Sequence, residues 1–193
     1  MNNKKNIAGF LLALLFSCTA HAKIELPWLL TDGAILQRDE PIHIWGTASP
    51  NSAVSVIFAN DKRDVQADKD GNWTAVFAPR KAGGPYQLSV SSGAFSHTVE
   101  DILMGDLWVC SGQSNMEWVV SDSDGAGDEI AAANAPRIRH FKVPRSWSVE
   151  PAATLASCKW NSPTPNNHGD FTALGGTNDK PIPADTGVPV GLR

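Results

Sequence analysis

The chain has 193 residues, with 16 lysines and arginines against 20 aspartates and glutamates and a formal net charge of −4 at pH 7. This mildly acidic composition offers no clustered basic surface for neutralising phosphates, so no nucleic-acid partner is expected. Neutral or uncharged substrates fit the composition better.

The first 22 residues have the pattern of a cleaved export signal. Lys4 and Lys5 form a basic head, residues 7–16 an apolar stretch, and Ala20-His21-Ala22 a small-x-small cleavage site. The apolar stretch is about ten residues, too short for the roughly 20 that a membrane-spanning helix needs, and no later apolar run is longer. The sequence therefore predicts no membrane span, a chain that begins at Lys23 after cleavage, and a periplasmic or secreted location.

Residues 23–102 are predicted to form an antiparallel β-sandwich. Runs rich in β-branched and aromatic residues, with partial period-two patterning, alternate with turn signals at sandwich-like intervals. The strand-like runs are residues 41–46, 53–58, 73–77 and 86–90, and the Gly-, Pro- and Asn-containing turns are residues 49–52, 68–72 and 82–85. Residues 68–71 superficially resemble a calcium loop, but no bidentate Glu follows, so a hairpin turn is the better interpretation.

The pattern changes after residue 102. Leu107-Trp108-Val109-Cys110 is apolar without alternation and is followed by a glycine and a segment able to begin a helix. This strand, turn and helix are typical of the start of an α/β domain, whose first strand is buried on both faces. Residues 129–134 favour a short helix and residues 137–143 a strand. Few apolar runs follow residue 120, so residues 103–193 are expected to form a truncated α/β domain.

Ser114 is the candidate nucleophile. A serine hydroxyl needs a base to take its proton and N–H donors to stabilise the oxyanion that forms on the attacked carbonyl. Gly112 permits a sharp turn after the strand, and Ser114 then lies where unpaired helical N–H groups favour negative charge. Met116 stands where a Gly-x-Ser-x-Gly elbow has its second glycine, so that motif does not match. The structural alternative for Ser114 is a helix N-cap.

A resemblance to a known family rests on these residues. Residues 105–118, Gly-Asp-Leu-Trp-Val-Cys-Ser-Gly-Gln-Ser-Asn-Met-Glu-Trp, resemble the first conserved block of the sialate O-acetylesterases, which are Ser-Gly-Asn-His hydrolases. The resemblance extends over roughly residues 26–115, because four upstream segments resemble the β-sandwich of the same family. These segments are residues 31–38, 44–48, 70–73 and 82–86.

The resemblance implies a serine carbohydrate esterase that removes O-acetyl groups from sialic acid or related sugars through an acetyl-Ser114 intermediate. Gln113 and Asn115 would then orient the substrate or stabilise the oxyanion. The resemblance implies no metal and no diffusible cofactor, and its partner is an O-acetylated sugar. The oligomeric state is left open. Asp106 and Glu117 are more simply explained as a structural acid and a first-turn acid.

The sequence lacks the Asp-x-x-His block that supplies this family's base. Only Glu40-Pro41-Ile42-His43 approximates the spacing, and it falls in the predicted sandwich. His168 with Asp170 has the wrong order and spacing, and a solvated loop explains it more simply. The chain alone is therefore expected to be inactive. The alternative function is an inactive fragment whose β-sandwich packs against another domain or binds carbohydrate. Trp28, Trp45 and Trp73 are the candidates for stacking on a sugar if they are exposed, although a tryptophan in a strand is more often part of the core.

The C-terminal residues contain a second oxyanion-like string. Gly175-Gly176-Thr177-Asn178-Asp179 matches two strings of the superfamily, but we interpret the match as coincidence. Residues 170–174 and 187–192 keep family-like sequence and spacing, whereas residues 175–183 contain two prolines and no helical face. This pattern favours a fragment or a frameshifted product.

Two cysteines remain after the predicted cleavage, Cys110 and Cys158. An exported chain with an even pair is able to form a disulfide. Cys110, however, ends an apolar run, where a buried thiol is the simpler interpretation. Two cysteines without a histidine at ligand spacing give no zinc signature.

The export signal makes a direct prediction. Expressed in a bacterium, the full chain should yield a mature protein whose first residue is Lys23, as read by N-terminal sequencing and intact mass. Leu15-Phe16-Ser17-Cys18 faintly resembles a lipoprotein site, although Phe16 and Ser17 fit it poorly. A mass that corresponds to a chain acylated at Cys18 would contradict cleavage after Ala22.

Overall fold

The computed structural model describes residues 23–110, 114–143, 158–172 and 191–192. These residues form a mostly β structure with eleven strands, one α-helix and three short 3-10 helices. The predicted export signal, Gln113 and the segment 175–183 lie outside the described residues. No helix among the described residues is long and apolar enough to cross a membrane.

Two sheets make up the first part of the chain. A five-stranded sheet has the order β1-β7-β6-β3-β4, and a separate pair joins β2 to β5. The strands are β1 Ile35–Gln37, β2 Ile42–Thr47, β3 Ala53–Phe58, β4 Asp61–Gln66, β5 Asn72–Phe77, β6 Gly83–Ser92 and β7 Phe95–Gly105. The four predicted runs fall on β2, β3, β5 and β6.

The two sheets enclose one core because their apolar residues alternate. Val54, Val56 and Phe58 of β3 are buried, whereas Ile57 between them is 41% exposed. In β5 the same period buries Trp73, Ala75 and Phe77. The Phe58 and Phe77 rings meet edge to face with centroids 5.9 Å apart, so strands of both sheets pack against each other.

The pairing is not purely antiparallel. β1 pairs with β7 in parallel, with Ile35 opposite Leu103 and Gln37 opposite Gly105. The expectation of an entirely antiparallel domain is therefore wrong at this edge. The physical reason is that β1 pairs with a strand more than 60 residues later rather than through a hairpin, so neighbouring turn signals do not report its direction.

Residues 68–72, which superficially resemble a calcium loop, form the turn between β4 and β5. Hydrogen bonds within the turn hold it closed without an ion. Asp68 Oδ1 accepts hydrogen bonds from the backbone N–H groups of Asp70 at 2.8 Å and Asn72 at 2.9 Å. The hydrogen bond from the Asn72 N–H has the largest effect on the Asp68 carboxylate. Together with the hydrogen bond from the Asp70 N–H, it holds the pKa of Asp68 below its ordinary value. The carboxylate is used to close the turn, which agrees with the hairpin interpretation.

The later residues form a small second sheet of order β10-β9-β11-β8. Its strands are β8 Trp108–Val109, β9 His140–Phe141, β10 Trp160–Asn161 and β11 Gly191–Leu192, and α1 spans Ala126–Ala132. The predicted strand over residues 137–143 is thus limited to two residues, and the predicted helix over 129–134 begins three residues earlier.

β8 corrects one prediction. Trp108 is 59% exposed and Val109 73% exposed, so the strand is not buried on both faces. Among the described residues β8 pairs only with β11, and no described element covers these two side chains. An apolar run without alternation predicted a central strand, but the layers that would bury it are not found in the described part of the chain.

The second sheet packs onto the first core. The Phe141 and Trp160 rings pack at a tilt of 49° with centroids 4.9 Å apart, and both residues belong to the same buried cluster as Leu30 and Ile35. Trp160 Nε1 also donates to the Leu29 carbonyl at 3.0 Å. A domain boundary near residue 102 stays a prediction, since the buried apolar cluster extends across it.

Cys158 joins this cluster. Its thiol is buried, and burial raises its pKa. Within the described part of the chain no disulfide joins it to Cys110, which is half-buried. Cys158, rather than Cys110, is therefore the cysteine that packs in the core as a small apolar residue.

Truncating Phe58 should strongly destabilise the fold. Phe58 is fully buried, so Phe58→Ala is expected to lower the free energy of unfolding by about 3–5 kcal/mol through lost burial and a residual cavity. Ile57→Ala, one residue away on the exposed face, is the matched control and should cost about 1 kcal/mol or less. Urea denaturation followed by tryptophan fluorescence measures both. Equal costs would contradict the core placed between the two sheets.

Candidate active site

Two of the segments that carry the family resemblance lie side by side just before the candidate nucleophile. Leu107 donates its backbone N–H to Gln37 Oε1 at 2.9 Å, and Arg38 donates its backbone N–H to the Gly105 carbonyl at 2.9 Å. Arg38 Nε also donates to Asp106 Oδ1 at 2.8 Å. The chain leading to β8 is therefore held by residues 37 and 38, and Asp106 has the structural role expected of it.

Ser114 begins a 3-10 helix, Ser114–Glu117, and is exposed. Asn115 is the second residue of that helix, whereas Gln113 lies outside the described residues. The predicted helix start at Ser114 is confirmed, although the helix has only four residues. A helix this short has little macrodipole, so any stabilisation of an oxyanion would depend on individual N–H groups.

The segment after Ser114 is anchored by a small apolar cluster. Val120 and Phe171 are buried and pack with Ile130 of α1. Val120 donates its backbone N–H to the Phe171 carbonyl at 2.9 Å, and Val119 forms an isolated antiparallel bridge with Thr172. Residues 168–172 thus hold the chain five to six residues beyond the candidate nucleophile.

Two histidines flank Phe171. The His140 ring stacks on Phe171 at 4.7 Å, and the His168 ring meets it edge-on at 5.4 Å. His168 is only 5% exposed and lies in the 3-10 helix His168–Asp170, so the expectation that it belongs to a solvated loop is wrong. Its contact with an aromatic ring buries it. Its Nδ1 is buried without a hydrogen-bond partner in the described structure, while Asp170 is exposed.

The described residues do not assemble a catalytic triad. No described histidine or carboxylate forms a hydrogen bond with the Ser114 side chain. Glu40 and His43, which approximate the missing spacing, are exposed at the start of β2 in the first part of the chain. Ser114 is thus exposed, and no described histidine or carboxylate is bonded to it.

The tryptophans fall into two groups. Trp73 is 3% exposed and belongs to the core, so it is excluded as a sugar platform. Trp28 and Trp45 are 40% and 39% exposed, and Trp45 lines a shallow apolar groove of about 190 Å³. Trp108 and Trp118, which lie on either side of the candidate nucleophile in the sequence, are also exposed, and their apolar sequence context did not predict this exposure.

The described residues also contain no group of three or more His, Cys, Asp or Glu side chains arranged to hold a metal ion. The expectation of no metal and no cofactor stays a prediction.

Comparison with known proteins identifies the relatives. No family model matches the chain. The sialate O-acetylesterase of Mus musculus is 32% identical over 146 residues, covering 68% of this chain and 27% of that protein. The sialate O-acetylesterase of Homo sapiens is 31% identical over 185 residues, covering 86% of this chain and 35% of that protein. The chain belongs to the sialate O-acetylesterase family.

A solved structure supports this assignment. The crystal structure of a carbohydrate acetylesterase from Xanthomonas citri matches with a TM-score of 0.83 and 41% identity, covering 88% of this chain and 40% of that one. The resemblance predicted from residues 105–118 is confirmed, and the fold is that of part of a carbohydrate acetylesterase. The chain spans about a quarter to two fifths of the length of these sialate O-acetylesterases and of the solved acetylesterase.

Phe171 should control the order of the segment that carries Ser114. Phe171→Ala removes the ring between the two histidines and the side-chain support for the Val120–Phe171 hydrogen bond, so the Val120 amide should exchange at least about tenfold faster. Phe95→Ala, which truncates a 40% exposed phenylalanine on β7, is the matched control. Amide hydrogen exchange measured by NMR or mass spectrometry compares them. Unchanged protection at Val120 in Phe171→Ala would show that the aromatic cluster does not hold this segment.

Proposed function

We propose that this chain is the nucleophile-bearing part of a serine carbohydrate esterase that removes O-acetyl groups from sialic acid or related sugars. The observation that carries the proposal is the exposed Ser114 at the start of a helix, on a chain segment held by the two family-like blocks. The family membership and the similarity to a carbohydrate acetylesterase support it. In this proposal residues 23–102 are an antiparallel β-sandwich with one parallel edge, and residues 103–193 are a truncated Ser-Gly-Asn-His hydrolase domain.

The proposed chemistry is acyl transfer. Ser114 Oγ attacks the acetyl carbonyl while a base takes its proton, and backbone N–H groups stabilise the oxyanion. The proton then passes to the sugar oxygen as the C–O bond breaks, which leaves acetyl-Ser114 and a free sugar hydroxyl. Water attacks the acetyl-enzyme and releases acetate. Gln113 and Asn115 are proposed to orient the substrate.

The proposed mechanism needs a base, and the described residues hold none against Ser114. The sequence contains no Asp-x-x-His block, and no described histidine or carboxylate is bonded to Ser114. Without a base the hydroxyl is a weak nucleophile, so the chain on its own is proposed to be inactive. The proposal includes export to the periplasm or beyond, on the basis of the signal-like residues 1–22.

The competing proposal is a non-catalytic fragment whose first domain packs against another domain or binds carbohydrate. The same missing base favours it, together with the exposed Trp45 beside its shallow groove. Aromatic rings that are partly exposed offer a face for stacking on a sugar. The two proposals differ in whether Ser114 is still able to act when a base is provided.

A chimera tests whether the rest of a related acetylesterase supplies that base. In the Xanthomonas citri acetylesterase, the part that matches this chain is replaced by this chain, so that the rest of that enzyme is retained. We expect the chimera to release acetate from an O-acetylated sugar and to react with a fluorophosphonate probe. Ser114→Ala in the chimera should abolish labelling and reduce acetate release by at least about a thousandfold, because loss of an acyl-transfer nucleophile has an effect of this order.

The isolated chain is the control, and it should be silent in both assays. Acetate release by the isolated chain that depends on Ser114 would show that a base is present after all. A folded chimera that stays inactive, with the Xanthomonas enzyme active beside it, would favour the non-catalytic fragment. Resequencing the gene through the codons for residues 175–193 and beyond would show whether an Asp-x-x-His block follows in an open frame.

A further inference from the structure

A row of alternating charges leads from the first two sheets to the segment that carries Ser114. Lys81 Nζ lies 2.7 Å from Asp39 Oδ1, and Asp39 Oδ2 lies 3.2 Å from Arg38 Nη1. Arg38 Nε in turn donates to Asp106 Oδ1 at 2.8 Å. Asp106 stands two residues before β8 and eight residues before Ser114. The row therefore joins the residue that follows β1 to the chain that enters β8.

Arg38 binds Asp106 with two donors. Its Nε donates to Oδ1 at 2.8 Å, and its Nη2 donates to Oδ2 at 3.4 Å. Both side chains are 29% exposed, so the pair is partly shielded from water. A bidentate pair fixes the relative orientation of guanidinium and carboxylate as well as their separation. Asp106 is therefore held in one orientation against the residue that follows β1.

Asp39 supports the arginine. Its φ is 62°, in the left-handed region that residues with a side chain seldom adopt, and its N–H donates to the Arg80 carbonyl at 2.8 Å. The hydrogen bond from Lys81, and then the charges of Lys81 and Arg38, hold the pKa of Asp39 below its ordinary value. An ionised Asp39 on a fixed backbone limits the freedom of the Arg38 side chain.

Ser114 lies between two anchored points of the chain. On its N-terminal side the Arg38–Asp106 pair fixes the residues before β8. On its C-terminal side the Val120 N–H donates to the Phe171 carbonyl. A displacement of a reacting group by about 1 Å is able to slow a reaction by about a hundredfold. An anchor that does not touch the substrate therefore bears on the reaction when it sets the position of the nucleophile.

We propose that Arg38 and Asp106 are positioning residues for acyl transfer at Ser114, acting through the chain that enters β8. The inference rests on the proposed function, because the position of Ser114 affects the rate only if Ser114 is the nucleophile. Neither positioning residue has to touch the substrate. The first two sheets then contribute to catalysis by holding the Arg38–Asp106 pair.

The full chain tests the structural step. Asp106→Asn keeps the shape of the side chain and removes its charge, so the Leu107 amide, which donates to Gln37, should exchange at least about tenfold faster. The amide resonances of residues 114–117 should shift. NMR measures both, and the Val54 amide in the core strand β3 should keep its protection.

Asp61→Asn is the matched control for the loss of an arginine–aspartate pair. Asp61 lies 2.7 Å from Arg80 Nη2, on β4, at the opposite edge of the five-stranded sheet from β1. This change should leave the Leu107 exchange rate and the resonances of residues 114–117 unchanged.

The chimera described above tests the catalytic step. Asp106→Asn should lower kcat/KM for acetate release and the rate of fluorophosphonate labelling by roughly tenfold or more. The inhibition constant of the deacetylated sugar product should stay within about twofold, because the change affects the nucleophile rather than substrate binding. Asp61→Asn should leave both rates within about twofold.

Two further variants separate positioning from general destabilisation. Arg38→Lys keeps the charge without the bidentate geometry, so it should cause a smaller loss of rate than Asp106→Asn. Because the two residues act as one pair, Arg38→Lys combined with Asp106→Asn should be little slower than Asp106→Asn alone. If Asp106→Asn fails to fold, Arg38→Lys compared with Asp61→Asn still decides.

Two results would overturn the inference. One is an active chimera whose rates change by less than about twofold with Asp106→Asn, or fall as much with Asp61→Asn. The other is a folded chain in which Asp106→Asn leaves the Leu107 exchange rate and the resonances of residues 114–117 unchanged. An unmodified chimera that releases no acetate would instead be a failure of the proposed function, and the full-chain comparison would still decide whether the pair fixes the segment.

Discussion

One buried cation connects the two parts of this structure. Arg139 donates to Asp101 in β7, to Ser162 and to the Pro136 carbonyl, so three separate chain segments converge on a single guanidinium. A buried charge lowers stability unless it is fully hydrogen-bonded, and a planar guanidinium fixes the directions in which its N–H groups donate. The bulged end of β7 and the segments around residues 136 and 162 are therefore constrained to one arrangement.

The consequences of that arrangement extend to the candidate nucleophile. Arg139 precedes β9, whose His140 stacks on Phe171 and whose Phe141 packs on Trp160 in the main core. Phe171 in turn holds Val120 on the segment that follows Ser114. A chain of packed side chains thus runs from the first sheet to Val120, on the segment that follows Ser114.

The sequence predicts elements whose stabilisation is local. β3 and β5 alternate between core and solvent, and Asp68 closes its own turn, so their patterns are visible along the chain. β4 is mostly exposed and polar, which gives no apolar period to detect. The parallel pairing of β1 and the burial of His168 depend on partners far along the chain or on a neighbouring ring, which no local pattern reports.

The features of the candidate site also differ in whether a local sequence pattern predicts them. The start of a helix at Ser114 was predictable because its motif is contiguous and follows an apolar run that ends near a glycine. Burial of residues 107–110 was predicted from their apolar run, yet Trp108 and Val109 are more than half exposed. The apolar residues of β3 and β5 that face the core are almost completely buried. The core-facing residues of the first two sheets bury one another. The side chains of Trp108, Val109 and Trp118 stay exposed because no described element covers them, and no described histidine or carboxylate is bonded to Ser114. The exposed apolar side chains and the candidate nucleophile therefore lie on the same segment of the described chain.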